Sequence, residues 1–193
     1  MSEVLLYHHV QGLTGGVRAF ADEVRQAGHT VHTPDLFGGR TFDTIEDGLT
    51  YARETGFGEL AERGVAAADG IAPGVVYAGF SFGVMTAQRL AQTRPGARGA
   101  LLMYSCLPVS EFGEEWPSDV PVQVHGKEGD EFFLEDIDAA RALAGSADRA
   151  ELFLYPGTEH LFADASLPSY DPAAAALLME RVLAFLDRVQ RDA

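Results

Sequence analysis

Two glycines flank a serine in Gly79-Phe80-Ser81-Phe82-Gly83, and this stretch constrains the chain more than any other. An apolar run, Val75-Val76-Tyr77-Ala78, precedes it, and a helical pattern from Val84 to Gln92 follows. Strand, sharp turn and helix is the setting in which G-x-S-x-G lifts a serine hydroxyl above the end of a sheet. Such a turn presses its backbone against the neighbouring strand and helix, so side chains beside the serine would collide. It also leaves the Phe82 amide near a helix start, where the helix dipole favours a developing negative charge. Ser81 is therefore a candidate nucleophile, provided that an acid and a base fall in other loops at the same end of the sheet.

The rest of the chain reads as alternating strands and helices. Val4 to Tyr7 is a short continuous apolar run of the kind expected for a buried parallel strand. Val17, Phe20, Ala21 and Val24 mark a helix with Gly28 as its stop, and His29 to Thr33 is a second strand. Thr41 to Asp69 is polar and mostly helical, with Thr44 and Asp47 at its start and with Gly56 and Gly58 breaking it before a second short helix. Further strands are expected at Val75 to Ala78, Gly99 to Tyr104, Val120 to Val124 and Glu151 to Tyr155, with a helix around Ile137 to Ala144. Pro172 suits the first turn of a terminal helix, because its missing N–H costs nothing there. The alternation predicts an α/β fold: a three-layer, doubly wound, mostly parallel sheet of about six strands. With 193 residues, 47% of them hydrophobic, the chain is expected to form one domain over 1–193. No insertion is long enough for a large lid.

In an open parallel sheet, chemistry collects beyond the carboxyl ends of the strands. The loop after the fifth strand holds His125, Glu128, Asp130 and Glu131, and the loop after the sixth holds Glu159 and His160. Serine, then acid, then histidine is the chain order of one known triad arrangement, and Glu128 competes with Asp130 for the acid. His8, His9 and His125 lie near the same rim, but their spacing fits no common zinc pattern, so no metal is expected. The lone Cys106 excludes an intrachain disulfide, and the run Met1-Ser2-Glu3 has no basic, cleavable leader. Both features fit a cytoplasmic protein. A net charge of -15 would repel nucleic acid and anionic membrane.

The chain resembles the dienelactone hydrolase family of α/β-hydrolases over nearly its whole length. The resemblance is carried by the loop His8 to Thr14, Pro34-Asp35-Leu36, the Ser81 turn, His125-Gly126 with Asp130, and His160-Leu161-Phe162-Ala163 with Tyr170. It implies Ser81 as nucleophile, Asp130 as acid, with Phe133 at an apolar position behind it, and His160 as base. The backbone amides of Val10 and Phe82 would form the oxyanion hole. The best-known members have cysteine where this chain has Ser81. They also have an arginine that binds a substrate carboxylate where it has Asp164, and the family often has a glutamate facing the nucleophile where it has His9. His9 is thus a candidate substrate contact, and Asp164 is expected to repel an anionic lactone. The implied activity is hydrolysis of a small ester, lactone or thioester, with a small-molecule substrate and no cofactor; the sequence leaves the oligomeric state open, with a monomer favoured. The alternative is a non-catalytic ligand-binding or regulatory protein of the same fold.

Overall fold

The computed structural model describes residues 1–191. Its elements follow in the order β1 (Glu3–Tyr7), α1 (Gly15–Gln26), β2 (Thr30–His32), α2 (Ile45–Thr55), α3 (Phe57–Ala66) and β3 (Val76–Phe80). A 3-10 turn at Ser81–Gly83 then leads into α4 (Val84–Thr93). After it come β4 (Gly99–Met103), β5 (Val122–Lys127), α5 (Glu131–Ser146), β6 (Ala150–Tyr155) and α6 (Pro172–Arg191). The strands form one sheet in the order β2-β1-β3-β4-β5-β6, and every pairing is parallel. Strand order reverses between β1 and β3, which puts Ser81, at the exit of β3, beside the crevice that such a reversal opens.

Side-chain alternation divides the core into two layers. Val4, Leu6, Val76, Ala78 and Leu101 pack on one face with Val17, Phe20 and Val24 of α1 and Leu178, Val182 and Leu186 of α6. Leu5, Tyr7, Tyr77, Leu102 and Val124 pack on the other, with residues from α2, α3, α4 and α5. Each central strand is covered on both sides, which is why it reads as an unbroken apolar run. Among the described residues, no helix is long and apolar enough to cross a membrane.

Several boundaries differ from the sequence reading. Gly56 ends α2 with φ of 95°, but Gly58 lies inside α3 and breaks nothing. The fifth strand starts at Val122 and runs on through His125 and Gly126 to Lys127, so the acid-bearing loop is only three residues long. Helix α5 begins at Glu131, six residues earlier than its apolar pattern indicates, because Asp130 caps it. Tyr104 has φ of 71° and leaves the sheet instead of extending β4.

Candidate active site

The turn between β3 and α4 has the close packing that its glycines imply. A Cβ on Gly79 would lie 2.5 Å from the carbonyl carbon of Gly83, and one on Gly83 would lie 2.6 Å from the carbonyl oxygen of Tyr7. Neither separation is tolerable for carbon. Ser81 between them has φ of 48°, in the left-handed region that non-glycine residues avoid.

Three loops converge here. The Ser81 hydroxyl donates to Nε2 of His160 at 2.9 Å, and Nδ1 of His160 donates to Oδ2 of Asp130 at 2.6 Å. Ser81 is partly exposed, whereas His160 and Asp130 are buried. Asp130 also caps α5, its Oδ1 accepting from the Phe132 amide at 3.1 Å. A short carboxylate at the N-cap can reach the helix amides while its other oxygen faces the imidazole. Glu128 is exposed, and its amide donates to the Tyr155 carbonyl. His160 therefore meets Asp130 and not Glu128. Phe133 fills the space behind the cap, where a Cβ on Gly126 would fall 2.3 Å from its ring.

Val10 lies in the loop after β1, and Phe82 directly follows Ser81. Phe82 is the second residue of the 3-10 turn, so its amide belongs to the first-turn donors that a helix leaves without an internal acceptor. The Val10 amide meets no acceptor among the described residues. Its loop is held firmly. The Gly12 amide donates to the His9 carbonyl at 3.0 Å, the Phe42 amide donates to the Gln11 carbonyl at 3.0 Å, and α2 comes so close that a Cβ on Gly48 would sit 2.1 Å from the Val10 carbonyl oxygen. His8 fastens the loop from below: its Nδ1 donates to the His9 carbonyl at 2.7 Å while its Nε2 accepts from the Leu36 amide at 3.0 Å. Burial lowers the His8 pKa to about 4, which keeps this ring neutral and able to accept.

His9 is turned into the protein. Its ring is fully buried; Nδ1 accepts from the Gln11 amide at 3.2 Å and Nε2 donates to Oδ2 of Asp164 at 2.8 Å. Both ring nitrogens, which the sequence offered to a substrate, bond within the protein itself. Asp164 is turned inward with it. It is 4% exposed, and it also accepts from the Thr14 hydroxyl at 2.5 Å and from the Ser166 amide and hydroxyl at 2.8 and 2.6 Å. Burial opposes its ionisation, but these hydrogen bonds with that from His9 outweigh it and bring its pKa down to about 2. The carboxylate ties the loop after β1 to the loop bearing His160, and its charge is taken up inside the protein.

Two supports of His160 were not visible as such in the sequence. Tyr104 packs edge-on against the imidazole with ring centroids 5.6 Å apart, and its hydroxyl accepts from the Ala163 amide at 3.0 Å. Lys127 has a side chain only 1% exposed, held by Glu159 at 2.7 Å and Asp171 at 2.8 Å. It anchors the residue before His160 to the start of α6. Among the described residues, the non-glycine positions with positive φ are Ser81, Tyr104 and Leu161, and all three adjoin this group. Strain of this kind persists only where the surroundings over-determine it, and it clusters at functional sites. Among the described residues, no three or more His, Cys, Asp or Glu side chains are arranged to hold a metal ion.

A six-stranded parallel sheet with a serine turn after β3 defines the α/β-hydrolase fold, and solved structures agree. A dienelactone hydrolase from Anabaena variabilis superposes with a TM-score of 0.72 at 20% identity, covering 97% of this chain and 86% of the other. A dienelactone hydrolase-like promiscuous phosphotriesterase from metagenomic libraries gives 0.71 at 18% identity, covering 98% and 87%. Esterase 2 of Thermogutta terrifontis, phosphorylated by paraoxon, gives 0.62 at 18% identity, covering 97% and 82%. The model of the dienelactone hydrolase family matches residues 2–190, and the chain belongs to that family. Its class is thus that of a hydrolase. Among curated protein sequences, none matches the chain.

Proposed function

We propose that this hydrolase cleaves small carboxylic esters, lactones or thioesters through an acyl-enzyme on Ser81. The observation that carries the proposal is the hydrogen-bonded line from Asp130 through His160 to Ser81, at 2.6 and 2.9 Å. His160 takes the Ser81 proton as the hydroxyl attacks the acyl carbonyl, and returns it to the departing alcohol or thiol. Asp130 holds the imidazole with its proton on Nδ1 and stabilises the imidazolium that forms. The amides of Val10 and Phe82 receive the oxyanion, each worth about 3 kcal/mol of barrier lowering. Water, activated by His160, then releases the acid.

The left-handed backbone at Ser81 supports this role, since strain of this kind clusters at functional sites. Serine in place of cysteine suits ordinary ester chemistry. The test is hydrolysis of p-nitrophenyl acetate by the wild type and by Ser81→Ala, His160→Ala and Asp130→Ala. Activity should fall by about 10^4-fold or more for Ser81→Ala, and the double variant Ser81→Ala/His160→Ala should be no worse, because the residues act as one unit. A Ser81→Ala protein that turns over within tenfold of wild type would exclude this mechanism.

A further inference from the structure

The surroundings of His160 carry information about the group that leaves. Phe132, on the first turn of α5, is 47% exposed although it is a large apolar side chain. Its ring lies 4.9 Å from the His160 ring, centroid to centroid, tilted by 42°. Its position is built in, because the Asp130 carboxylate that meets His160 also accepts from the Phe132 amide. An exposed ring set by the same carboxylate as the imidazole is a platform beside the proton donor.

The charge around it is one-sided. In the loops leaving the carboxyl ends of the strands (residues 8–14, 33–44, 104–121, 128–130 and 156–171), Arg40 is the one lysine or arginine. Its guanidinium rests over the Tyr51 ring at 5.2 Å. Lys127, at the end of β5, is sealed between Glu159 and Asp171. Glu128 and Glu131 flank Asp130 and are exposed.

We infer that the substrate is an uncharged ester whose leaving alcohol carries an aromatic or similarly flat apolar group, seated on Phe132. This rests on the proposed serine mechanism. In that mechanism the leaving oxygen must come within hydrogen-bond reach of His160 Nε2 to be protonated. The substituent on that oxygen then extends along the His160 side of the nucleophile, and Phe132, exposed and against the His160 ring, stands on that side. Ring on ring gives an offset or edge contact that an alkyl alcohol of two carbons cannot reach. A carboxylate on the same group would meet Glu128 and Glu131 after β5, while the one cation of these loops, Arg40, follows β2 at the other side of the sheet.

The experiment compares kcat/KM for benzyl acetate, ethyl acetate and 4-carboxybenzyl acetate by pH-stat titration, in wild type, Phe132→Ala and Phe132→Tyr. Benzyl and ethyl acetate have leaving alcohols of similar basicity, so their ratio reports binding more than intrinsic reactivity. Phe132→Ala should lower the ratio of kcat/KM for benzyl over ethyl acetate about 5- to 10-fold, while Phe132→Tyr keeps the wild-type ratio. The carboxylated ester should react more slowly than benzyl acetate at low salt, with the gap narrowing as salt is added. Equal losses on both neutral esters, a wild type without preference for benzyl acetate, or a carboxylated ester cleaved as fast as the neutral one would overturn the inference. Labelling of wild-type Ser81 by a fluorophosphonate, run in parallel, separates the two levels. A labelled enzyme with no benzyl preference refutes only the leaving-group assignment, whereas an unlabelled one refutes the mechanism beneath it.

Discussion

Replacing Asp164 by alanine should destabilise the protein more than any exposed substitution, although Asp164 touches neither Ser81 nor His160. Its carboxylate accepts from His9, Thr14 and Ser166 and is 4% exposed. Removal leaves the His9 Nε2–H buried without an acceptor and releases the tie between the loop after β1 and the His160 loop. Hydrogen bonds to a charged group are worth about 1.5–3 kcal/mol each, and the buried His9 and Thr14 donors both lose theirs, so the loss is about 3–5 kcal/mol. With a urea m-value of about 2 kcal/mol/M, the unfolding midpoint should fall by about 1.5–2.5 M at unchanged m. Buried Trp116 provides the fluorescence signal. The pH dependence adds a second signature. Asp164 has its pKa lowered from 3.8 to about 2, so it contributes stability that is full above pH 4 and fades as pH falls through 2. Such a shift corresponds to about 2.4 kcal/mol. Asp164→Asn should therefore show a shallower loss of stability than wild type between pH 4 and pH 2. A midpoint for Asp164→Ala within 0.2 M of wild type, or parallel pH curves for wild type and Asp164→Asn, would refute the burial argument, given the roughly 2 kcal/mol/M slope.

Other expectations concern the serine turn and the core. Gly83→Ala forces a Cβ within 2.6 Å of the Tyr7 carbonyl oxygen and 2.8 Å of that of His8, so the start of α4 must move. Esterase activity should fall by about 100-fold through misplacement of Ser81, with a loss of about 2–4 kcal/mol in stability; full activity in this variant would contradict the packing described. Burial, followed by the nearby Arg181 charge, lowers the His125 pKa to about 3, while the unfolded residue titrates near 6.5. The unfolded chain thus takes up a proton that the folded one refuses, and stability should decline from pH 6.5 towards pH 3 by on the order of 4 kcal/mol on this account. His125→Gln should flatten that decline in urea unfolding followed at several pH values, and an unchanged slope would count against it.

Much of this was legible in the sequence because it depends on local pattern. Continuous apolar runs marked strands covered on both faces, and Gly79, Ser81 and Gly83 marked a turn whose crowding only glycine permits. The order of Ser81, the acid loop and His160 followed from the sheet, because each loop leaves a strand at the same end. What escaped depends on contacts between loops far apart in the chain. Asp164 looked like a substrate-facing charge and His9 like a contact, yet 155 residues of separation hid their mutual hydrogen bond. Lys127 gave no sign of burial, since its partners Glu159 and Asp171 come from beyond the next strand. The choice between Glu128 and Asp130 does have a local signal: Asp130 stands directly before Glu131-Phe132-Phe133, as an N-cap should. The left-handed conformations of Tyr104 and Leu161 have no such signal, because neither residue type favours them.

The measurement that bears most directly on the central claim is intact mass after reaction with a fluorophosphonate. Covalent catalysis by Ser81 predicts one adduct per chain on the wild type and none on Ser81→Ala. His160→Ala should react far more slowly, since no base then takes the Ser81 proton. An unmodified wild type, or an adduct that forms equally on Ser81→Ala, would contradict it.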